Sequence, residues 1–330
     1  MRMELVLHTF GTLLCRDMEG FVITNSEGRK RLPCNGITSI QIGKGVQVTS
    51  DAILLAIERE IEILFVEHTG DLKGRVWSSR YGSISTIRKG QLAFTVSVEA
   101  VEWIKGIIAK KILNQQALLL SLSSLSSVNA HEVDKAISRL EEYIVKVKAL
   151  EGDSVSDISS VLRGWEGYSS RIYFDTLNLF LPARYRFSGR SQHPAMDIVN
   201  AFLNYGYGIL YGKIEGILIK VGIDPYIGVM HRDEYNRPVL VYDLIELYRV
   251  WIDYVVYSLV VQQVVTDDFF SVREDGSCWL ESLGRRVLIQ SVNDYLDEIV
   301  EIKGLSRSRL THINLYAQKL AQKFKSVKPT

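Results

Sequence analysis

The spacing of apolar residues changes near residue 90, and this change limits the fold more than any other feature of the sequence. Up to that point short apolar runs alternate with turn residues, as in ELVLHTF, GFVIT and SIQIGKGVQVT. Such runs, bounded by Gly, Asn and Asp, predict β-strands. One helix interrupts them, because Thr49 or Ser50 can cap the segment DAILLAIERE, and the strand-like IEILFVE follows it.

Beyond residue 90 apolar residues recur every three or four positions, which predicts α-helices. From His131 to Leu150 they form one stripe, with charged residues on the opposite face. The small, polar segment YGSISTIRKG at 81–90 is the predicted joint between two domains, and EGDSVSDISS at 151–160 is a predicted loop. Further helices are predicted over 98–122, 195–221, 241–264, 286–302 and 310–324. The sequence therefore predicts an α+β chain, with a β-rich domain over 1–85 and an all-helical domain over 91–330.

The composition predicts a folded, soluble protein. Of the 330 residues, 47% are hydrophobic and 23% are charged, a balance that allows a buried core. No apolar run approaches the roughly 18 residues of a membrane-spanning helix, and the N-terminus does not resemble a secretion signal. Cys15, Cys34 and Cys278 are too scattered for a disulfide framework or a zinc knuckle, which suits a reducing compartment. We therefore expect a cytoplasmic protein.

The total charge gives no sign of a nucleic-acid partner, because 39 basic and 38 acidic residues leave a net charge of +1. The distribution is less even, since an arginine cluster between residues 163 and 190 faces only Glu166 and Asp175. The cluster consists of Arg163, Arg171, Arg184, Arg186 and Arg190. Such a cluster can bind phosphates, although a solvated helix face gives the same pattern.

Most familiar catalytic signatures are absent from the sequence. The GKG at 43–45 lacks the other glycines of a phosphate-binding loop, and HEVDK at 131–135 lacks the second histidine of a zinc protease. No GxSxG nucleophile elbow occurs. These absences disfavour nucleotide hydrolases, zinc proteases and serine hydrolases.

The segment GVMHRDEYNRPVLVYDLIELYR at 228–249 places His231 before a predicted helix that carries Asp243 and Glu246. Two carboxylates three positions apart share a helix face and repel each other unless a positive charge lies between them. Arg249 would provide that charge in a structural role, and a divalent cation would provide it in a functional one. The segment by itself leaves both interpretations open.

A further acidic candidate lies upstream in LRGWEGYSSRIYF, where Gly164 and Gly167 flank Glu166. Glycines there would bring the backbone close to another group and leave space around the carboxylate. In the ordinary interpretation Glu166 pairs with Arg163 or Arg171.

Several motifs together resemble the CRISPR-associated integrase family, the larger catalytic subunit of the complex that inserts new spacers. They are RGWEGYSSRIYF at 163–174, HPAMDIVNAFLNYGYGIL at 193–210, VGIDPYIGVMH at 221–231 and RPVLVYDLIELYR at 237–249. Weaker similarity extends to IEILFVEHTGDLKGRV and to KKILNQQALLL at 110–120. The order and spacing agree over nearly the whole chain. One departure is His193-Pro194, where many members have two prolines.

The resemblance implies a fold and a metal site. The expected fold is an N-terminal β-sandwich-like domain followed by a helical catalytic domain. Carried over by position, the catalytic metal ligands are Glu166, His231 and Glu246. Asp243 either supports a ligand or is an alternative one. Two carboxylates and one imidazole suit Mn²⁺ or Mg²⁺, and the nitrogen ligand favours Mn²⁺.

The implied function is a metal-dependent DNA endonuclease and integrase that inserts short DNA fragments into a CRISPR array by transesterification. The resemblance also implies a homodimer, a small partner subunit, and DNA that is double-stranded, branched or single-stranded at its ends. Basic residues around the site are the expected DNA contacts. They are Arg171, Arg184, Arg186, Arg190, Arg237, Lys110, Lys111, Arg75 and Arg80.

Two other functions stay open at this point. One is a catalytically silent DNA-binding scaffold of the same fold, although all three ligand positions carry competent side chains. The other is an unrelated helical metallohydrolase for a small molecule, which would need a deep apolar pocket instead of a basic surface.

Overall fold

The computed structural model describes residues 3–18, 20–67, 72–76, 85–124, 130–192, 194–231 and 237–327. The chain divides into two compact units, Met1–Tyr81 and Gly82–Thr330. Strands dominate the first unit and helices the second, so the predicted α+β class is confirmed. The functions assigned to the predicted domains stay predictions.

In its described residues the N-terminal unit contains two four-stranded sheets and one helix, α1 (Ser50–Glu58). Its strands are β1 Met3–Leu7, β2 Leu13–Asp17, β3 Gly20–Asn25, β4 Gly28–Pro33, β5 Ile37–Ile42, β6 Gln47–Val48, β7 Glu62–Val66 and β8 Leu72–Arg75. The sheet orders are β1-β5-β7-β8 and β4-β3-β2-β6. Strands β5 and β7 run parallel, and α1 lies in the connection between them, as parallel pairing requires a crossover.

Both sheets and α1 contribute to one apolar core, which agrees with the sandwich-like expectation. Leu14 and Phe21 come from one sheet, Ile40 and Ile63 from the other, and Leu55 from α1. The predicted cap of α1 is also present, because the Thr49 side chain accepts a hydrogen bond from the Ala52 amide at 3.3 Å. Strand β4 was not predicted, since five of its six residues are exposed and its sequence, GRKRLP, has no apolar alternation.

The C-terminal unit is built mainly from helices. They are α2 Ser85–Thr95, α3 Val98–Ser123, α4 Ala130–Ala149, α5 Val155–Leu179, α6 Ile198–Lys220, α7 Val239–Ile245, α8 Arg249–Val261, α9 Ser282–Asp297 and α10 Arg309–Ser326. Helix α3 lies against α4 and α5, and α6 lies against α7, α8 and α9. Among the described residues, none of the helices combines the length and apolar character that crossing a bilayer requires.

Three boundaries differ from the predictions. The division between the two units, after Tyr81, falls inside the predicted joint at 81–90, but residues 85–90 of that segment already belong to α2. Helix α5 begins at Val155, inside the predicted loop. The predicted helix over 286–302 ends at Asp297, because the backbone turns extended at Glu298. Two hairpins also interrupt the all-helical expectation. Their strands are β9 Phe270–Val272, β10 Cys278–Leu280, β11 Ile299–Ile302 and β12 Leu305–Ser308.

The helix predicted over 241–264 is two helices, α7 and α8, with a tight turn at residues 246–248. In this turn the amides of Leu247 and Tyr248 bond to carbonyls three residues earlier, at 3.2 and 2.8 Å. The Leu247 carbonyl accepts a 2.9 Å hydrogen bond from the Asn114 side chain of α3 instead of continuing the helical ladder. The turn places Glu246 at the end of α7, with its side chain buried.

Candidate metal and DNA site

Glu166 lies in the middle of α5, with 20% of its side chain exposed. The helix begins where the Asp157 carboxylate accepts a 2.8 Å hydrogen bond from the Ser154 amide. The interpretation of the flanking glycines as a close approach was wrong in part. A Cβ at Gly164 or Gly167 would meet nothing within 4 Å among the described residues, so these glycines only leave open space on the helix surface.

Asp243, the acidic residue within α7, holds the loop segment that leads to His231. Asp243 is completely buried, and its Oδ2 accepts hydrogen bonds from the amides of Val229 and Met230 at 2.7 and 3.1 Å. Its Oδ1 accepts from the His231 amide at 3.3 Å and lies 2.7 Å from the His231 Nδ1. A carboxylate that holds Nδ1 fixes the imidazole and leaves Nε2 as the nitrogen that can bind a cation.

The loop before His231 is also fixed from two other helices. Arg163 of α5 donates a 2.8 Å hydrogen bond to the Met230 carbonyl, which ties the loop to the helix of Glu166. Gln91 of α2 is fully buried and donates to the carbonyls of Asp224 and Ile227, at 2.7 and 3.0 Å. Gly228 is required sterically, because a Cβ there would lie 2.3 Å from the His231 carbonyl oxygen. The loop is therefore rigidly placed beside α5 and α7.

Glu246 is 6% exposed, and Arg249 donates to its Oε1 at 2.7 Å. Its other oxygen, Oε2, lies 2.5 Å from the Lys111 ammonium without an aligned hydrogen bond. Burial would raise the pKa of Glu246, but Arg249 and Lys111 lower it well below its usual range. Glu246 is therefore a buried carboxylate that stays ionised through its two cationic neighbours.

Lys111 of α3 joins the two candidate acidic ligands. Its ammonium donates a short hydrogen bond to Oε1 of Glu166 and pairs with Glu246. Burial lowers the pKa of Lys111, but the charges of Glu246 and Glu166 raise it above its ordinary value. Glu166 and Glu246 also raise the pKa of His231, together with Asp243 and against the effect of burial. The three candidate ligands thus surround one small region where a positive charge is stabilised.

The donor set of this region suits a divalent cation. Two carboxylates and an imidazole nitrogen are ligands that Mn²⁺ and Mg²⁺ accept, and one buried carboxylate oxygen, Oε2 of Glu246, has no aligned hydrogen-bond donor. In the described part of the chain no three His, Cys, Asp or Glu side chains are already arranged around a common ion position. The Lys111 ammonium lies between the two carboxylates, and it would have to move for an ion to contact both.

Three of the predicted DNA contacts are engaged inside the protein instead. Lys111 is a member of the site itself, with 8% of its side chain exposed. Arg75 is 9% exposed and pairs with Glu62 at 2.6 Å. Arg190 is half-buried, and its guanidinium binds the side-chain oxygens of Asn200 and Asn204.

The other predicted contacts are on the surface or outside the described residues. Arg184 pairs with Asp267, and Arg171 lies 3.8 Å from Asp175 with 80% of its side chain exposed. Lys110, Arg186 and Arg237 are also exposed. Arg80 lies outside the described residues, and so does His193, where the sequence departs from the family pattern. The role of the exposed residues in binding DNA stays a prediction.

Sequence reasoning missed a buried polar cluster next to the site. Asp253 of α8 accepts hydrogen bonds from the phenols of Tyr173 on α5 and Tyr207 on α6. The guanidinium of Arg249 lies 4.7 Å from the centre of the Tyr207 ring. A sequence signal existed, because Asp253 is the only charged residue between Trp251 and Val265 in an otherwise apolar and aromatic helix.

Comparison with known sequences gives a consistent relationship over almost the whole chain. The family model described as CRISPR associated protein Cas1 matches residues 5–294. A CRISPR-associated endonuclease Cas1 of Archaeoglobus fulgidus is 30% identical over 331 aligned positions, which cover 96% of this chain and 94% of that protein. A second, from Thermodesulfovibrio yellowstonii, is 30% identical and covers 79% of this chain and 81% of its own.

Solved structures show the same fold. A casposase bound to integration product superposes with a TM-score of 0.85 at 22% identity, covering 100% of this chain and 92% of the other. A Cas1 protein from Thermotoga maritima gives a TM-score of 0.82 at 19% identity, covering 99% and 98%. The family model spans well over half of the chain, and the Archaeoglobus relative matches nearly all of it. The resemblance inferred from the motifs is therefore confirmed, and the chain belongs to the Cas1 family of CRISPR-associated proteins.

Proposed function

We propose that this protein is a divalent-metal-dependent DNA endonuclease and integrase that acts in CRISPR spacer acquisition. The observation that carries the proposal is the convergence of Glu166 and Glu246 on one cation position, next to the anchored His231. The three side chains come from α5, α7 and the loop between α6 and α7. The names of the similar proteins, which are CRISPR-associated endonucleases and a casposase, support the same activity.

The proposed metal ligands are Glu166, His231 and Glu246, and the proposed ion is Mn²⁺ or Mg²⁺. When bound, such an ion supplies Lewis-acid stabilisation of a scissile phosphodiester and of the oxygen that leaves. Asp243 fills a supporting role, because both of its oxygens are occupied by loop amides and by His231 Nδ1. Arg249 keeps Glu246 ionised and fixes one of its oxygens, which leaves Oε2 directed at the cation position.

Exposed basic residues of the helical unit are the proposed DNA contacts. They are Arg171, Arg184, Arg186, Arg237 and Lys110. Such contacts offset phosphate charge and position DNA without reading its sequence. The same site can direct two attacks on a phosphodiester, one by water, which cleaves DNA, and one by a DNA 3′-hydroxyl, which joins two strands.

The family and two similar structures support the proposed partners. One of these is a Cas6-RT-Cas1--Cas2 complex, of which this chain covers 35%, and another is the casposase with its integration product. We propose that the protein acts as a homodimer in the cytoplasm, together with a small partner subunit. Its proposed DNA is a duplex, branched or with single-stranded ends.

Two substitutions at the site test this function. We expect that His231→Ala and Glu246→Gln abolish Mn²⁺-dependent cleavage of branched DNA and strand transfer, whereas Glu142→Gln, an exposed carboxylate on α4, keeps both activities. A chelator should stop the wild-type reaction. Wild-type rates in His231→Ala and Glu246→Gln would place the chemistry elsewhere. DNA binding that survives chelation, with no turnover by any variant, would instead support the silent scaffold.

A further inference from the structure

The contacts of Lys111 differ from those of an ordinary surface ion pair. Its side chain is 8% exposed and reaches from α3 to carboxylates on two other elements, Glu166 of α5 and Glu246 at the end of α7. Among the described residues, Lys111 is the only cation in contact with the Glu166 carboxylate. The ammonium therefore occupies the place where the two proposed acidic ligands come closest together.

A charge count shows what Lys111 contributes. Arg249 already compensates Glu246 through Oε1, whereas it interacts with Glu166 only through longer-range charge attraction. Without Lys111, Oε2 of Glu246 and Oε1 of Glu166 would face each other without a cation between them, in a region largely closed to water. Two like charges that close to each other repel more strongly where water is largely excluded than they do in bulk solvent. The metal-free site needs an internal cation in this place.

We propose that Lys111 is a resident counter-cation that holds Glu166 and Glu246 toward one point and is exchanged for the divalent ion when that ion binds. This inference rests on the proposed function. A lysine ammonium is suited to such an exchange, because rotation about the bonds of its four methylenes can move it away without moving α3. The planar guanidinium of an arginine has a rigid arrangement of N–H donors and would stay bound to the carboxylates. Lys111 is thus a positioning residue that competes with the metal.

The inference predicts opposite effects on stability and on metal affinity. Removing the ammonium in Lys111→Met leaves Glu166 without a contacting cation and Glu246 with Arg249 alone, so the metal-free variant should melt at a lower temperature than wild type. The same carboxylates should bind Mn²⁺ about tenfold more tightly, because the ion no longer has to displace a positive charge. Saturating Mn²⁺ should therefore raise the melting temperature of Lys111→Met more than that of wild type.

The experiment compares full-length wild type, Lys111→Met and Lys105→Met by calorimetric titration with Mn²⁺ and by thermal melting. Lys105 is a matched control, because it lies on the same helix, has a side chain that is also 8% exposed and pairs with the exposed Glu102 at 2.7 Å. The Lys105→Met variant should bind Mn²⁺ with the affinity of wild type. If Lys111→Met is unfolded without metal, its folding on addition of Mn²⁺ supports the inference. The Mn²⁺ affinity is then measured on Lys111→Gln instead.

The outcomes separate this inference from the function on which it rests. Equal or weaker Mn²⁺ affinity in Lys111→Met and Lys111→Gln, with normal binding by wild type, overturns the exchange and leaves the metal-dependent function intact. Absence of Mn²⁺ binding in every variant, including wild type, overturns both.

Discussion

The phenol of Tyr173 donates a 2.8 Å hydrogen bond to Oδ2 of Asp253, and both side chains are buried. Tyr207 donates to the other oxygen of the same carboxylate, so three helices meet at Asp253. Tyr173 lies two turns after Glu166 on α5, and Asp253 lies one turn after Arg249 on α8. The cluster therefore fixes α5, which carries Glu166, against α8, which follows Glu246.

The Asp253 cluster predicts a specific pH dependence. Burial raises the pKa of Asp253 to about 6, although both phenol hydrogen bonds lower it. Because the folded state holds this proton more tightly than the unfolded state, the contribution of Asp253 to stability is present below about pH 4 and is lost as the pH rises through 6. We expect the free energy of unfolding of wild type, relative to Asp253→Asn, to fall by up to about 3 kcal/mol over this range.

Urea unfolding of both proteins at several pH values measures this difference directly. Groups that titrate equally in the two proteins cancel in the comparison. A difference that is constant, or that rises with pH, would mean that Asp253 does not hold its proton more tightly in the folded protein.

Asp243→Asn should weaken metal binding without touching a proposed ligand. An amide nitrogen in place of either carboxylate oxygen would face N–H donors, either those of Val229 and Met230 or that of His231. We expect Mn²⁺ affinity to fall by about 10- to 100-fold, as is usual when the support of a ligand is removed. The pKa of His231 should also fall, because the hydrogen bond and charge of Asp243 raise it.

Nuclear magnetic resonance can follow the His231 ring through its titration in both proteins. Asp175→Asn is the matched control, since that carboxylate is 63% exposed beside Arg171. An unchanged His231 titration in Asp243→Asn would show that the 2.7 Å contact does not control the imidazole.

Two glycine substitutions should act in opposite directions. An Ala at position 228 would bring its Cβ within 2.3 Å of the His231 carbonyl oxygen and 2.8 Å of Val239 Cγ2, so the loop must shift. We expect Gly228→Ala to cost about 1–3 kcal/mol of stability and to weaken Mn²⁺ binding. Gly164→Ala, on the open surface of α5, should raise stability by about 0.5–1 kcal/mol.

Chemical denaturation and metal titration of both glycine variants test the prediction. A loss of DNA cleavage in a stabilised Gly164→Ala protein would show that the open surface at this position is needed by the DNA. Unchanged stability in Gly228→Ala would contradict the tight packing of the loop.

Arg171 and Arg190 should separate DNA binding from folding. Arg171 is mostly exposed, so Arg171→Gln should keep the melting temperature and reduce the salt dependence of DNA binding by about one counterion. Arg190 binds two asparagines of α6, so Arg190→Gln should lose about 1–3 kcal/mol of stability. Fluorescence anisotropy of a branched duplex at several salt concentrations, with parallel melting curves, distinguishes them. If Arg190→Gln reduces the salt dependence of DNA binding and Arg171→Gln lowers stability, Arg190 is the DNA contact.

The sequence predicted correctly those elements that bury one apolar face and expose the other. The apolar stripe of α4 was predicted to consist of Val133, Ile137, Leu140, Ile144 and Val147, and all of these are buried except Ile137, which is half-buried. Strand β4 was missed because it lies at a sheet edge, where charged side chains carry no apolar alternation.

The candidate site shows a second limit of sequence reasoning. The proposed ligands could be located by motif, but Lys111 was predicted to be a DNA contact, because its partner Glu166 lies 55 residues away in the sequence. The break between α7 and α8 was also hidden. The apolar pattern continues through Leu244 and Leu247, and it contains no sign that Asn114 takes the carbonyl that the helix would need.

The buried position of Gln91 sets a practical limit on how the helical unit can be isolated. Its side chain also accepts a 3.0 Å hydrogen bond from the Asp224 amide. On the same helix Phe94 packs against Phe324, with their ring centres 5.2 Å apart. A fragment that begins at residue 91, the predicted domain start, would lack the first half of α2 and its buried Ile87. The shortest expressible form of the helical unit should therefore begin no later than Ser85.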